Sequence, residues 1–196
     1  MYAGHFDFTV PLISRVAGLW TAEQCEDVLA AARDGEWLPA TVNAAAGRVV
    51  NERLRNNDLA VLREPALADR LLEQARPHLP ATMSAEWGGG RAQVSLVGLF
   101  SPLRIYRYHP GQHFGLHQDG SYRRDDGARS LLTLMVYLND DFDGGETDFP
   151  EQGEQIRPAR GDALWFQHMV LHAGLPVTRG VKHVLRTDVL YAAPPA

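Results

Sequence analysis

The chain has 196 residues, of which 45% are hydrophobic and 22% charged, and this composition is typical of a globular protein with one substantial core. Its formal net charge of -5 at pH 7 provides no basic surface for nucleic acid, so a nucleic-acid partner is not expected. Cys25 is the only cysteine, which excludes an internal disulfide and favours a reducing compartment.

The start of the chain indicates a cytoplasmic protein. Residues 1–7 lack the basic start and the apolar run of a signal peptide. No apolar stretch is long enough to span a bilayer, so membrane contact is not expected either.

Two amphipathic helices are predicted in the first half. Thr21 and Gln24 have the spacing of a capping box, and apolar residues then recur at helical spacing until Gly35. A second helix is predicted from about Pro65 to residue 76, where Pro77 would end it. Both helices should support a sheet with their buried faces.

The second half is predicted to consist of strands and turns, beginning after a glycine-rich loop at residues 87–90. Residues 131–138 alternate so that one face is wholly apolar and should meet the helices. Turn residues follow at 143–145, and further strands are predicted at 163–166 and 181–191.

Three side chains form a candidate metal site. On a strand, His117 and Asp119 point to the same side and could chelate one ion, and His172 follows 53 residues after Asp119. Two histidines and a carboxylate on one face of an octahedral ion are the ligand set of non-haem Fe(II) oxygenases. His168 competes with His172 for the third ligand, and the spacing to Lys182 favours His172.

A single cation accompanies this candidate site. Lys182 is the only lysine of the chain and follows His172 by ten residues. It could hold the distal carboxylate of a keto-acid co-substrate, for which 2-oxoglutarate is the candidate. Arg186 is a rival for this role, because both side chains should share one face of a strand.

The order and spacing of several motifs resemble the prolyl 4-hydroxylase-like branch of the Fe(II)/2-oxoglutarate-dependent oxygenases. Together these motifs cover about the last hundred residues, and the combination is far more specific than any one of them. They are residues 108–114 leading to 117–119, residues 133–138, residues 144–147, and residues 172–177 ending at Lys182.

The resemblance implies a mainly β fold, a double-stranded β-helix or jelly roll with flanking helices. It implies a single oxygenase domain over residues 1–196, in which 1–93 supply helical support and first strands and 94–196 form the catalytic jelly-roll core. The family's functional residues carry over as metal ligands His117, Asp119 and His172 and as co-substrate residues Lys182, Tyr108 and Thr147.

The resemblance also implies Fe(II), 2-oxoglutarate and O2 as cofactors, with ascorbate as an additional candidate. The leading hypothesis is hydroxylation of a prolyl or other residue in a peptide or protein, and the polar segment 120–127 could close over such a chain. A hydroxylase of a free amino acid or small metabolite is the alternative. A non-catalytic jelly-roll binding protein is the alternative of another class, and the sequence leaves the oligomeric state unknown.

Overall fold

The computed structural model describes residues 6–33, 35–44, 47–157 and 159–194, and most of this part is β-structure. Its two α-helices are α1 (Ala22–Arg33) and α2 (Pro65–Ala75), and a 3-10 turn at Arg76–His78 follows α2. Within the described ranges, neither helix has the length and apolar character needed to cross a membrane.

Seventeen strands are assigned in the described residues, most of them three to six residues long. In chain order they are β1 (Ile13–Val16), β2 (Leu38–Pro39), β3 (Val42–Ala44), β4 (Gly47–Val49), β5 (Asp58–Leu62), β6 (Thr82–Trp87), β7 (Gly90–Leu99), β8 (Leu103–Tyr108), β9 (Phe114–His117), β10 (Arg129–Tyr137), β11 (Asp143–Gly144), β12 (Thr147–Phe149), β13 (Glu154–Ile156), β14 (Ala163–Gln167), β15 (His172–Gly174), β16 (Val177–Arg179) and β17 (Lys182–Ala192).

The strands form two main antiparallel sheets. The larger sheet has nine strands, with the order β1-β14-β10-β17-β8-β5-β2 and with β7 and β6 added beside the second half of β17. The smaller sheet has the order β13-β12-β15-β9, and the pairs β11-β16 and β3-β4 complete the strand pairing. This is the double-stranded β-helix that the resemblance implies, with both helices on one side.

The larger sheet separates two hydrophobic cores because its side chains alternate between its faces. On β10, Leu132, Leu134 and Val136 pack in the core that also contains the buried residues of both helices. Tyr137 belongs to the second core, which lies between the two sheets and includes Phe149 of the smaller sheet. The prediction that the apolar face of residues 131–138 meets the helices is confirmed.

Both predicted helices are confirmed, and local chemistry explains their ends. The Thr21 hydroxyl accepts a hydrogen bond from the Gln24 amide at 3.2 Å, and the Gln24 side chain accepts one from the Thr21 amide at 2.9 Å. These two bonds are the capping box at the start of α1. Pro65 occupies the first turn of α2, as predicted, and Pro77 lies in the 3-10 turn after it.

The first half contributes more sheet than the helical patterns indicated. The glycines near residue 89 form a tight hairpin, with Trp87 paired to Gly90, rather than a loop before the strands. The division at residues 93 and 94 falls inside β7, and β1 and β5 pair with strands of the second half. The two predicted parts therefore share one sheet.

Candidate metal and co-substrate site

A cavity of about 530 Å³ opens on the inner face of the larger sheet and is bounded on the other side by the smaller sheet. All six site residues predicted from the sequence line it: Tyr108, His117, Asp119, Thr147, His172 and Lys182. The side chains come from five different strands or strand ends, so only the folded barrel brings them together.

The register between the two sheet strands β9 and β15 creates the candidate metal centre. His117 is directly paired with His172, and Asp119 follows two residues after the end of β9. The Nε2 atoms of both histidines lie 3.7 Å from the Asp119 carboxylate oxygens. One ligand atom from each of the three residues lies within 4.8 Å of the other two.

Hydrogen bonds orient both imidazoles for metal binding. His117 Nδ1 donates to the Gly115 carbonyl at 2.8 Å, and His172 Nδ1 donates to the Val170 carbonyl at 2.9 Å. A neutral ring that donates through Nδ1 keeps Nε2 as a free acceptor. Burial lowers the pKa of His172 to about 4, against the opposing effect of Asp119, so this ring is neutral near pH 7.

Asp119 remains ionised although it is buried. Burial alone would raise its pKa, but Arg186 and the two histidines hold the pKa well below its usual range. Arg186 Nη2 lies 2.9 Å from Asp119 Oδ2, and the Thr133 hydroxyl donates to the same oxygen at 2.5 Å. The donor set of two imidazoles and one carboxylate therefore fits a divalent iron ion.

His168, the rival third ligand, lies behind Asp119 instead. Its Nδ1 is 3.0 Å from the Thr133 hydroxyl, and its Nε2 is 2.9 Å from the Ser130 hydroxyl. The Thr133 hydrogen is used on Asp119, so His168 Nδ1 donates to Thr133 and Nε2 accepts from Ser130. Both ring nitrogens are occupied, and the sequence pattern gave no signal for this support of the metal ligand.

Lys182 is a buried cation that faces the cavity. Its side chain is almost fully enclosed, at 3% exposure, and its ammonium group donates to the Gly145 carbonyl at 2.6 Å. Among the described residues, no carboxylate lies within ion-pair distance of it. Burial lowers the pKa of Lys182 to about 8, with Glu146 acting in the opposite direction. An acidic ligand in the cavity would supply the missing partner.

The surroundings of Lys182 match the predicted co-substrate residues. Lys182 is paired with Tyr108 across β17 and β8, and its Nζ lies 5.3 Å from the Tyr108 ring centroid. The Thr147 hydroxyl is 2.8 Å from the hydroxyl of Tyr137, whose ring centroid is 5.4 Å from Nζ. Tyr108 and Thr147 line the same cavity as the ammonium group.

The turn before Thr147 requires a glycine at position 145. It has a φ of +68°, and a Cβ there would lie 3.2 Å from Lys182 Cδ and 3.0 Å from Val177 Cγ2. A larger residue would be strained and would displace the lysine that the Gly145 carbonyl binds. The turn therefore shapes the co-substrate end of the cavity.

Arg186 shares a strand face with Lys182, as predicted, but it has a different role. Its guanidinium group contacts Asp119 and also lies 3.2 Å from Asp188 Oδ1. Two carboxylates already neutralise it, and they raise its pKa against the effect of burial. Lys182 is the cation of this strand left for a co-substrate.

Arg55 is a cavity residue that sequence reasoning missed. It follows a turn in the first half, and an isolated bridge pairs it with Phe114 of β9. Phe114 in turn stacks on the metal ligand His117, with ring centroids 3.5 Å apart. No periodic pattern marks residue 55, because its position depends on contact with a strand 59 residues away.

The polar segment at residues 120–127 is tied to β10. The Ser130 hydroxyl accepts from the Tyr122 amide at 2.8 Å, and the Ser121 hydroxyl donates to the Ser130 carbonyl at 2.7 Å. Gly120, Ser121 and Tyr122 line the cavity mouth. Because Ser130 also contacts His168, the start of this segment is connected to the residues behind Asp119.

The sequence and the fold of this chain are similar to those of known proteins. The sequence profile of the 2OG-Fe(II) oxygenase superfamily matches residues 103–187, which include all six predicted site residues. A PKHD-type hydroxylase of Pseudomonas putida is 30% identical over 186 residues, a match that covers 88% of this chain and 75% of the relative. Prolyl 4-hydroxylase 1 of Arabidopsis thaliana is 23% identical over 185 residues, and this match covers 62% of the relative. The resemblance noted in the sequence is confirmed.

Solved structures share the fold. The collagen prolyl hydroxylase of Paramecium bursaria Chlorella virus-1 aligns with a TM-score of 0.66 at 23% identity, over 93% of this chain and 97% of the viral one. Some curated relatives are longer proteins: the chain spans 41%, 62% and 62% of the lengths of three of them.

The metal assignment predicts different effects for the two neighbouring histidines. His172→Ala removes a ligand and should lower Fe(II) affinity by more than about a hundredfold. His168→Ala removes only support for Asp119 and should cost about tenfold, at the low end for groups behind a ligand. Anaerobic Fe(II) titration of both variants measures this. Full iron binding by His172→Ala, with loss in His168→Ala, would show that the assignment is wrong.

The Lys182 assignment predicts a characteristic pH dependence of 2-oxoglutarate binding. The free ammonium group loses its proton above about pH 8, so affinity should fall by up to about tenfold per pH unit above that value. Lys182→Ala should weaken binding by about two to four decades, since breaking a buried ion pair costs roughly 3–5 kcal/mol. Calorimetric titration over pH 7 to 10 measures both effects.

Lys182→Arg is the matched control for this pH dependence. An arginine stays protonated, so the variant should lose the decline above pH 8, while its planar group recovers only part of the affinity. An unchanged affinity in Lys182→Ala, together with a large loss in Arg186→Ala, would transfer the co-substrate role to Arg186.

Proposed function

The chain belongs to the 2OG-Fe(II) oxygenase superfamily, and from this membership we propose that it is a 2-oxoglutarate-dependent hydroxylase acting on a prolyl or other residue of a peptide or protein. The main support for the proposal is that His117, Asp119 and His172 share one cavity with Lys182, which has no ion-pair partner among the described residues. A non-catalytic binding protein would need neither the complete ligand set nor a buried cation at that place.

The proposed reaction converts a substrate C–H bond, 2-oxoglutarate and O2 into a C–OH group, succinate and CO2. One oxygen atom enters the hydroxylated product and the other enters succinate, so the atoms balance. Fe(II) held by His117, Asp119 and His172 would supply the activation of oxygen. Ascorbate as an additional cofactor stays a prediction, and so does a cytoplasmic location.

The residues of the chain bind and orient the reactants. Lys182 would pair with the distal carboxylate of 2-oxoglutarate, with the hydroxyl groups of Tyr108 and Thr147 as neighbouring donors. Arg186 and Thr133 fix the Asp119 carboxylate from behind, which keeps its free oxygen directed at the metal position. The aromatic core around Phe149 and Phe166 packs against His172 and excludes water from that side.

A polypeptide substrate is supported by the relatives and by the cavity mouth. Relatives that carry the name prolyl 4-hydroxylase act, by that name, on prolyl residues. The exposed Tyr122 lies at the mouth, where its ring meets the Phe100 ring edge-on with centroids 4.6 Å apart. Such an aromatic pair offers a surface on which an extended chain could lie.

The test compares matched substrates. We expect a proline-containing peptide to stimulate succinate formation and to gain one oxygen atom, detected by mass spectrometry, with both signals lost in His172→Ala. Tyr122→Ala should reduce the peptide-stimulated rate about tenfold, within the range for losing an aromatic contact, while 2-oxoglutarate still binds. Oxidation confined to free amino acids would reject the polypeptide substrate and favour the metabolite hydroxylase.

A further inference from the structure

Among the charged groups that line the cavity, one buried cation has no assigned partner. Two arginines are paired: Arg104 lies 2.6 Å from Asp188, and Arg186 contacts Asp119 and Asp188. Lys182 has a role if the proposed function is correct, because it would pair with 2-oxoglutarate. Arg55 lines the same cavity, and among the described residues no carboxylate lies within ion-pair distance of it.

Arg55 is held in place with part of its guanidinium group unused. Its Nε donates to the Asn57 side chain at 2.7 Å, and the residue is only 7% exposed. The guanidinium carbon lies 4.2 Å from the Tyr106 ring centroid and 4.3 Å from that of Phe114. Its Nη2 atom is buried and has no hydrogen-bond partner among the described residues.

The guanidinium group of Arg55 can therefore still bind a ligand in the cavity. Contact with two aromatic faces partly compensates the buried charge but does not use the N–H groups of Nη2. A buried cation that has no partner anion, and of which one nitrogen has no hydrogen-bond acceptor, is unfavourable until a ligand provides them. The Asn57 hydrogen bond and the two aromatic rings already fix the Arg55 side chain. Binding of a ligand would therefore cost little further side-chain entropy.

Arg55 and Lys182 both lie near Tyr108, but they contact different walls of the cavity. Lys182 contacts the Gly145 carbonyl beside Tyr137, whereas Arg55 packs on Phe114, which stacks on His117. The Tyr106 phenol lies near Arg55, Arg104 and Arg186, and these charges lower its pKa to about 8 although burial alone would raise it. Because Asp119 and Asp188 balance Arg104 and Arg186, Arg55 is the uncompensated positive charge on this wall among the described residues.

We propose that Arg55 binds a carboxylate of the primary substrate and so makes the enzyme selective for an acidic substrate. A guanidinium group and a carboxylate match in shape and charge, and a neutral amide offers only one acceptor without charge. The carboxylate could belong to a free amino acid, to the C-terminus of a peptide, or to an acidic side chain next to the reacting residue. This inference rests on the proposed function for the identity of the site.

The test compares acids with their amides on protein loaded with Fe(II) and 2-oxoglutarate without oxygen. The probes are L-proline and L-prolinamide, N-acetyl-L-proline and its amide, and two peptides with an internal proline next to glutamate or glutamine. At least one acid should bind about tenfold or more tightly than its amide, consistent with one charge-assisted contact. The acid that binds identifies the source of the carboxylate.

Arg55→Gln is the decisive variant. It should remove the preference for that acid while leaving the affinities for the amide and for 2-oxoglutarate within about twofold, and Arg55→Lys should restore part of the preference. Arg63→Gln is the matched control, because Arg63 lines the cavity from an exposed position, and it should change little. Retained 2-oxoglutarate binding shows that the variants are folded.

Three results would overturn the inference. They are the absence of any acid that binds more tightly than its amide, a preference that survives in Arg55→Gln, and a loss of 2-oxoglutarate affinity in Arg55→Gln as large as the loss for the acid. If probes are hydroxylated without an acid preference, the inference fails and the hydroxylase proposal stands. If the acid binds through Arg55 but no probe is hydroxylated when oxygen is admitted, the site stands and the hydroxylase proposal fails.

Discussion

The antiparallel register that pairs His117 with His172 is the constraint on which the site depends. A shift of β9 by one residue would turn its side chains to the opposite face of the smaller sheet and would separate His117 from His172. The register is supported on both sides, since Phe114 stacks on His117 while Phe149 and Phe166 pack against His172. Packing of the second core thus positions two of the three ligands before any metal is bound.

Charge compensation is the second requirement, because the cavity brings several ionised groups out of water. Asp119 is balanced by Arg186, and Arg186 is balanced again by Asp188, which also holds Arg104. These pairs form a network inside the protein. Each charged group would destabilise the fold if it were buried without its partners. Lys182 and Arg55 stand outside this network. We propose that each of these two cations binds a ligand anion, at two different walls of the cavity.

Much of the site could be predicted from the sequence because strand alternation and motif order encode it. His117 and Asp119 share a face by their spacing, and Lys182 is conspicuous as the one lysine of the chain. The strand at residues 131–138 was predictable for the same reason, since its apolar residues alternate between two faces that lie in different environments. Local patterns were sufficient wherever one strand carried the information.

The remainder depends on contacts between distant segments, which no local pattern reports. Arg55 reaches the cavity through Phe114, and His168 supports Asp119 only because β10 carries Thr133 and Ser130 between them. The resemblance implied first strands in residues 1–93, but no local pattern indicated the positions of individual strands, such as β1 beside β14. Their short sequences contain little alternation, and pairing with the larger sheet decides their conformation.

The measurement that tests the account most directly is a crystal structure with Mn(II), a redox-inactive stand-in for Fe(II), and 2-oxoglutarate. The account predicts one metal ion bonded to His117 Nε2, His172 Nε2 and an Asp119 oxygen, and the distal carboxylate of 2-oxoglutarate on Lys182 Nζ. Arg55 should remain without an anion in that complex. A metal ion bound elsewhere, or a distal carboxylate on Arg186 or Arg55, would contradict the account.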